Sequence, residues 1–173
     1  MITIDGTGLV TGGTGGLGLR SPGSVIQTLH TQKTDTFVSD ASTWTDITGL
    51  SQAITMTSAS NKVLVLVNLN ILNGTTTGSI TGLKRGDTFI GLAESGYGSR
   101  AVGLGAELYN DRADVFRTTS YSVLDTPGTG THTYKVVVDP NSYSVYVNRS
   151  EADADAASYA RGTSDITLME IAV

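Results

Sequence analysis

The run KVLVLVNLNI, Lys62 to Ile71, constrains the fold more than any other segment of the chain. In an extended strand successive side chains point to opposite faces. Val63, Val65, Val67, Leu69 and Ile71 therefore make one continuous apolar face, while the other face carries Leu64 and Leu66 and then Asn68 and Asn70. A strand that is apolar on both faces at its start and on one at its end is a central strand covered on two sides, between sheets or between a sheet and a partner subunit. DITLMEIAV behaves similarly: Thr167, Met169, Ile171 and Val173 alternate with Ile166, Leu168, Glu170 and Ala172. Leu64, Leu66, Met169 and Ile171 are accordingly expected in a core or an oligomer interface. The apolar final strand is expected to be built into the fold rather than frayed.

The rest of the chain agrees with an all-β reading. No segment sustains a 3.6-residue apolar period, and only EADADAASYA, Glu151 to Ala160, has helical propensity. From Ser24 onward short apolar or alternating runs are separated by turn residues about every 8 to 12 positions. Strands are expected at Ser24–Gln32, Thr43–Ile47, Gln52–Thr57, Lys62–Ile71, Gly82–Lys84, Thr88–Ala93, Ala101–Tyr109, Val115–Leu124, His132–Asp139, Tyr143–Asn148 and Asp165–Val173. Threonine and the 21 glycines suit strands and tight turns respectively. The 173 residues fit one domain able to bury roughly 70% of its unfolded surface. With no cysteine and no Cys…Trp…Cys spacing, an antiparallel jelly-roll sandwich of about ten strands is favoured over an immunoglobulin fold. Residues 24–173 form the sandwich in this reading, and residues 1–23 form a glycine-rich leader, linker or anchor that cannot build a core alone.

The leader contains LVTGGTGGLG, Leu9 to Gly18, in which Gly13, Gly15 and Gly18 satisfy G-x-G-x-x-G and Thr11, Gly12, Gly16 and Gly18 a reductase-like variant. That fingerprint binds a pyrophosphate only when a strand precedes it and a helix N-terminus follows. Here Pro22 and Gly23 stop any helix within a turn, and none of the seven tyrosines has a lysine four residues later. No dinucleotide or other cofactor is expected. The net charge of −5 and scattered basic residues disfavour nucleic acid. No apolar run approaches the length of a membrane span, and no secretory signal is recognisable, so a protein without membrane insertion or Sec export is expected.

Catalytic and metal-binding patterns are weak. Asp111 with Asp114, and Glu151 with Asp153 and Asp155, could pair as carboxylates, yet neither set adjoins a motif that orients a substrate; solvated loop charge is the plainer account. EADADA lacks the glycine and distal glutamate of a calcium loop. His30 and His132 form no ligand spacing, no serine sits in G-x-S-x-G, and the sequons at Asn73 and Asn148 matter only in a secreted chain. No catalytic residue and no metal is expected. The surface of most interest is ESGYGSR, where glycines flank Tyr97 and Arg100 adds a five-donor guanidinium. An exposed aromatic beside polar groups can stack on a sugar ring, whereas a tight turn would fold the tyrosine onto its own sheet. Asn110, Asp111, Arg112 and Asp114 join Tyr97 and Arg100 as candidate ligand contacts, since loops on a rigid sandwich are free to carry recognition. Trp44, in TWTDI, is expected to pack against the sandwich.

The order SVIQTLHTQ, TWTDITGLSQAITMTSASNKVLVLVNLNI, LKRGDTFIG, SVLDTPGTGTHTYKVVV, YSVYVNRS and SDITLMEIAV resembles the C-terminal modules of bacteriophage tail fibres and related virion proteins, over roughly Ser24 to Val173. The resemblance implies a trimeric jelly roll of the tumour-necrosis-factor and C1q type. It further implies a non-enzymatic part of a phage virion (tail fibre, tail tip or head appendage) whose loops touch host-surface glycans. Such modules commonly end a long fibre, whereas here only residues 1–23 precede the module. A compact appendage joined to other virion proteins through its leader is then expected. A free carbohydrate-binding module and a polysaccharide hydrolase are the alternatives from other functional classes.

Overall fold

The computed structural model describes residues 21–74, 78–92, 98–107, 115–141 and 143–173, with the backbone of Thr3–Ile4 and Val10–Thr11. Among the described residues every regular element is a strand: β1 (Thr3–Ile4), β2 (Val10–Thr11), β3 (Val25–Lys33), β4 (Phe37–Ser39), β5 (Thr45–Thr55), β6 (Lys62–Asn73), β7 (Ser79–Arg85), β8 (Thr88–Ile90), β9 (Gly105–Glu107), β10 (Arg117–Asp125), β11 (Thr131–Asp139), β12 (Val145–Val147) and β13 (Ser164–Ile171).

Apart from the β1–β2 pair, the strands form a six-stranded and a five-stranded sheet, antiparallel throughout. In the first, Ile71 of β6 pairs with Arg117 of β10 and with Val147 of β12, so these two strands hold opposite edges of β6. β13 pairs with the Lys62–Asn68 half of β6 on the edge that β12 shares, and β3 and β4 continue outward in the same way. In the second, β11 holds one edge of β7, while β8 and β9 lie end to end along the other. Each sheet thus reduces to four lanes. Numbering the lanes along the chain as β3/β4, β5, β6, β7, β8/β9, β10, β11 and β12/β13, the order is 1-8-3-6 facing 2-7-4-5. Two interwound Greek keys give this order, which is that of a jelly roll.

The core lies between the sheets. Val63, Val65, Val67, Leu69 and Ile71 of β6 face Leu83 of β7 and Tyr134, Val136 and Val138 of β11, with Ile166 and Leu168 of β13 beside them. Each fully buried aliphatic side chain contributes about 1.5–3 kcal/mol. Glycine lets the β8–β9 lane approach β10 closely: a Cβ on Gly105 would stand 2.6 Å from Thr119 Cγ2, and one on Gly91 2.8 Å from Val123 Cγ2.

Polar groups, partly or fully buried, tie the layers together. Asp125 of β10 accepts hydrogen bonds from Arg85 Nη1 at 2.5 Å and from the Tyr134 hydroxyl at 2.8 Å, joining the two sheets. Burial, and then the carboxylate beside it, pushes the Tyr134 hydroxyl pKa up. Glu170 occupies the core face at the end of β13, where it is fully buried. Its Oε2 accepts from Gln27 Nε2 at 2.6 Å, and its Oε1 accepts from Asn61 Nδ2 at 2.6 Å, Thr57 Oγ1 at 2.8 Å and Thr57 N at 2.9 Å. Burial alone would raise this carboxyl, but the hydrogen bonds from Gln27, Asn61 and Thr57 outweigh it and hold the pKa down at about 2.

Several expected elements differ in detail. Thr43–Ile47 and Gln52–Thr57 are one strand, β5, which bulges so that Asp46 and Ser51 face Val137 and Lys135; Gly49 there adopts φ +82. Phe37–Ser39 was not expected as a strand because TDTFVSD reads as turn residues around two apolar ones; pairing with β12 supplies what local propensity lacks. Glu151–Ala160 is not helical. Its ends are drawn together by the Arg149–Arg161 bridge and by Asp153, which sits at φ +45. Val10–Thr11, inside the glycine motif, pairs antiparallel with Thr3–Ile4, a hairpin arrangement and not the parallel strand of a dinucleotide fold. The remainder of Leu9–Gly18 lies outside the described residues.

Candidate functional site

The candidate residues fall on two parts of the surface: the outer face of the β3–β13–β6–β10 sheet, and the segments that carry the recognition candidates. Residues directly opposite in an antiparallel pair share a face, so the register fixes the rows of the first. Leu124, Leu64, Met169 and Thr28 lie in one row; Ser122, Leu66, Thr167 and His30 in the next; Ser120, Asn68, Asp165 and Gln32 in the third. Below the first row stand Lys62, Ile171 and Val25. Leu64, Leu66, Met169 and Ile171 are therefore outside the core and half-buried, and they adjoin Leu124 and Val25, which are 57% and 54% exposed.

The other half of this face is polar and largely satisfies itself. Ser120 Oγ donates to Asn68 Oδ1 at 2.8 Å, Asn68 Nδ2 donates to Asp165 Oδ1 at 3.2 Å, and Thr118 Oγ1 donates to Asn70 Oδ1 at 2.6 Å. His30 Nδ1 and Thr167 Oγ1 are 2.9 Å apart. Polar groups already paired within the face can be covered by another surface without leaving orphan donors. The sequence singled out the β6 and β13 residues, but Leu124 and Val25 were missed because their alignment with Leu64 and Ile171 depends on register, which the alternation alone does not give.

Of the loop candidates, Tyr97, Asn110, Asp111, Arg112 and Asp114 lie outside the described residues. Arg100 is exposed, at a cleft of about 490 Å³ on the outer side of the second sheet. Ile80, Ala101, Leu104 and Ala106 make this cleft mainly apolar. Its loop sits hard against β7: Leu104 N donates to Thr81 O at 2.8 Å, and a Cβ on Gly103 would overlap Ile80. Trp44 packs on the same sheet above Gly82, edge-on to Phe89 at 4.9 Å, as expected for a ring lying against the sandwich.

The remaining sequence candidates do not converge. His30 and His132 belong to different sheets, and His132 Nε2 meets Thr129 O at 3.0 Å. Among the described residues no three His, Cys, Asp or Glu side chains gather into a metal-binding group. The sequon asparagines are 1% (Asn73) and 0% (Asn148) exposed, so neither offers its amide to a glycosyl donor. Asn148 is instead a staple: its Nδ2 donates to Lys33 O and Asp35 O at 3.0 and 2.9 Å, and its Oδ1 accepts from Ser164 Oγ at 2.6 Å.

No protein-family model matches this chain, and no curated protein matches it either. Among the described residues no helix is long and apolar enough to cross a membrane.

Proposed function

We propose that this chain is a non-enzymatic structural module of a phage virion that assembles as a homotrimer and presents its loops to host-surface glycans. One observation carries the reading: the contiguous apolar patch of Leu64, Leu66, Met169, Ile171, Leu124 and Val25 on the outer face of one sheet of a jelly roll. Apolar patches of this kind mark interaction surfaces, and symmetric self-association is the commonest way to cover them. The polar half of the face, paired within itself, can enter the same interface.

The two ends of the sandwich have different parts in this reading. The chain enters beside its last strand, with Gly23 N donating to Ala172 O at 2.8 Å and Ala172 N to Ser24 O at 2.9 Å. β10 begins at the opposite end, where Arg117 pairs with Ile71. The leader would join other virion proteins at the first end, leaving the opposite end of the sandwich to face the host.

The mass of the intact protein in solution tests the assembly. Three chains are expected at micromolar concentration, and Met169→Asp should give a folded monomer, because a carboxylate placed in the interface is left unpaired. A wild-type monomer would refute this reading.

A further inference from the structure

The lane formed by β12 and β13 is interrupted. Between Asn148 and Ser164 the chain leaves the sheet at the level of Asn70 and returns, with Asn148 N donating to Asn70 O at 3.0 Å and Gly162 N to Asn148 O at 3.1 Å. Two arginines shape this excursion in different ways. Arg149 is consumed as a brace: its Nε donates to Ser150 O at 2.9 Å, its Nη2 to Glu151 O at 2.6 Å, and its guanidinium lies 5.4 Å from the centre of the Tyr146 ring. Arg161 holds Asp153 by two bonds, Nε to Oδ1 at 2.8 Å and Nη2 to Oδ2 at 2.5 Å, yet its side chain remains 63% exposed.

The excursion frames an open pocket of about 360 Å³ lined by Asp153, Asp155, Tyr159, Arg161 and three alanines. A guanidinium has five N–H donors. Two go to Asp153, so three are left at the rim. Asp155 is exposed and supplies an acceptor, and Tyr159 is half-buried and supplies a ring. Donors, a carboxylate acceptor and an aromatic face are the groups that recognise a hydroxylated ring, and the Arg161–Asp153 pair fixes the guanidinium that supplies the donors. Alanine methyls and a charged rim suit neither a large apolar ligand nor, beside Asp155, a phosphorylated one.

We propose that this pocket binds one neutral pyranose residue of a glycan, with Tyr159 stacked on the sugar, Arg161 donating to its oxygens and Asp155 accepting from its hydroxyls. An acidic sugar would meet the Asp155 carboxylate and is disfavoured. The site deepens the glycan-contact reading above and puts the contact on residues other than the loop candidates of the sequence, but it does not depend on trimer assembly.

The test is an NMR titration of the ¹⁵N-labelled full chain with methyl pyranosides of glucose, galactose, mannose and N-acetylglucosamine, and with methyl glucuronide. At least one neutral sugar should shift the amides of residues 153–161 saturably, with a dissociation constant on the order of millimolar, as expected for a ligand of so few atoms. Tyr159→Ala should weaken it by about tenfold or more. Asp155→Ala, at an exposed position, should weaken it while the rest of the spectrum stays unchanged, and so serves if Tyr159→Ala disturbs the fold. The proposal is overturned if no neutral sugar moves these amides, if the glucuronide binds best, or if both variants bind like the wild type. The mass measured on the same sample separates the two readings: a monomer that binds sugar keeps the pocket and loses the virion trimer, and a trimer without sugar binding does the reverse.

Discussion

Replacing Glu170 by glutamine tests whether a single buried carboxylate latches the last strand to the rest of the sandwich. Glu170 accepts four hydrogen bonds, all from neutral donors on Gln27, Thr57 and Asn61. Its pKa is about 2, against an ordinary value of 4.5. A difference of roughly 2.5 units at 1.36 kcal/mol each amounts to about 3 kcal/mol of stability. Because the folded-state pKa is the lower one, this stability is fully present above pH 4.5 and is lost as the pH falls toward 2. In Glu170→Gln the new amide group must face a donor. Turning the Gln27 amide to accept from it sacrifices the bond from Gln27 Nε2 to Thr55 O. The variant should be less stable than the wild type by about 2–3 kcal/mol at pH 7. Urea unfolding at pH 7, 4.5, 3 and 2, at one protein concentration, should show the gap closing below pH 4.5. A gap under about 0.5 kcal/mol at pH 7, or one that stays constant down to pH 2, would refute the latch.

Asn148→Ala strips partners from Lys33 O, Asp35 O and Ser164 Oγ and leaves alanine at φ +63. It should cost about 2–4 kcal/mol and lower Tm by about 5–15 °C, read by calorimetry. Gly82→Ala puts a Cβ 3.0 and 3.2 Å from Trp44 ring atoms. It should shift the emission of this single tryptophan and cost about 1 kcal/mol. Gly105→Ala, with contacts of 2.6 and 2.8 Å to Thr119 and Thr81, should be worse, by about 2–3 kcal/mol in urea unfolding. NAD and NADP should neither raise Tm nor quench Trp44, and saturable micromolar binding would contradict the reading of Leu9–Gly18 as a leader segment.

The fold class was legible because alternation is local: KVLVLVNLNI gives the faces of β6 without knowledge of its partners, and its odd-numbered face is the core. Long-range pairing was not. β4 forms only because β12 lies beside it, and the continuity of β5 through Gly49 depends on a bulge opposite β11. Glu170 reads as an isolated charge in DITLMEIAV, since its partners sit 109 to 143 residues away in sequence. The same holds for the excursion at Glu151–Ala160, whose alanines and carboxylates suggest a helix until Arg149 and Arg161 are seen to close on Asp153. Apolar residues on the outer face were noticed individually. Their grouping with Leu124 and Val25 needed the register.

Because the chain has no cysteine, one introduced thiol can report directly on the proposed interface. Ser122→Cys places a spin label on the outer face beside Leu66, and Ser51→Cys places one on the second sheet, beside Lys135. Dipolar spectroscopy at micromolar protein should find label-to-label distances from three-spin assemblies with Ser122→Cys shorter than those with Ser51→Cys. An absence of dipolar coupling at Ser122, or the shorter distances at Ser51, would contradict assembly through the β3–β13–β6–β10 face.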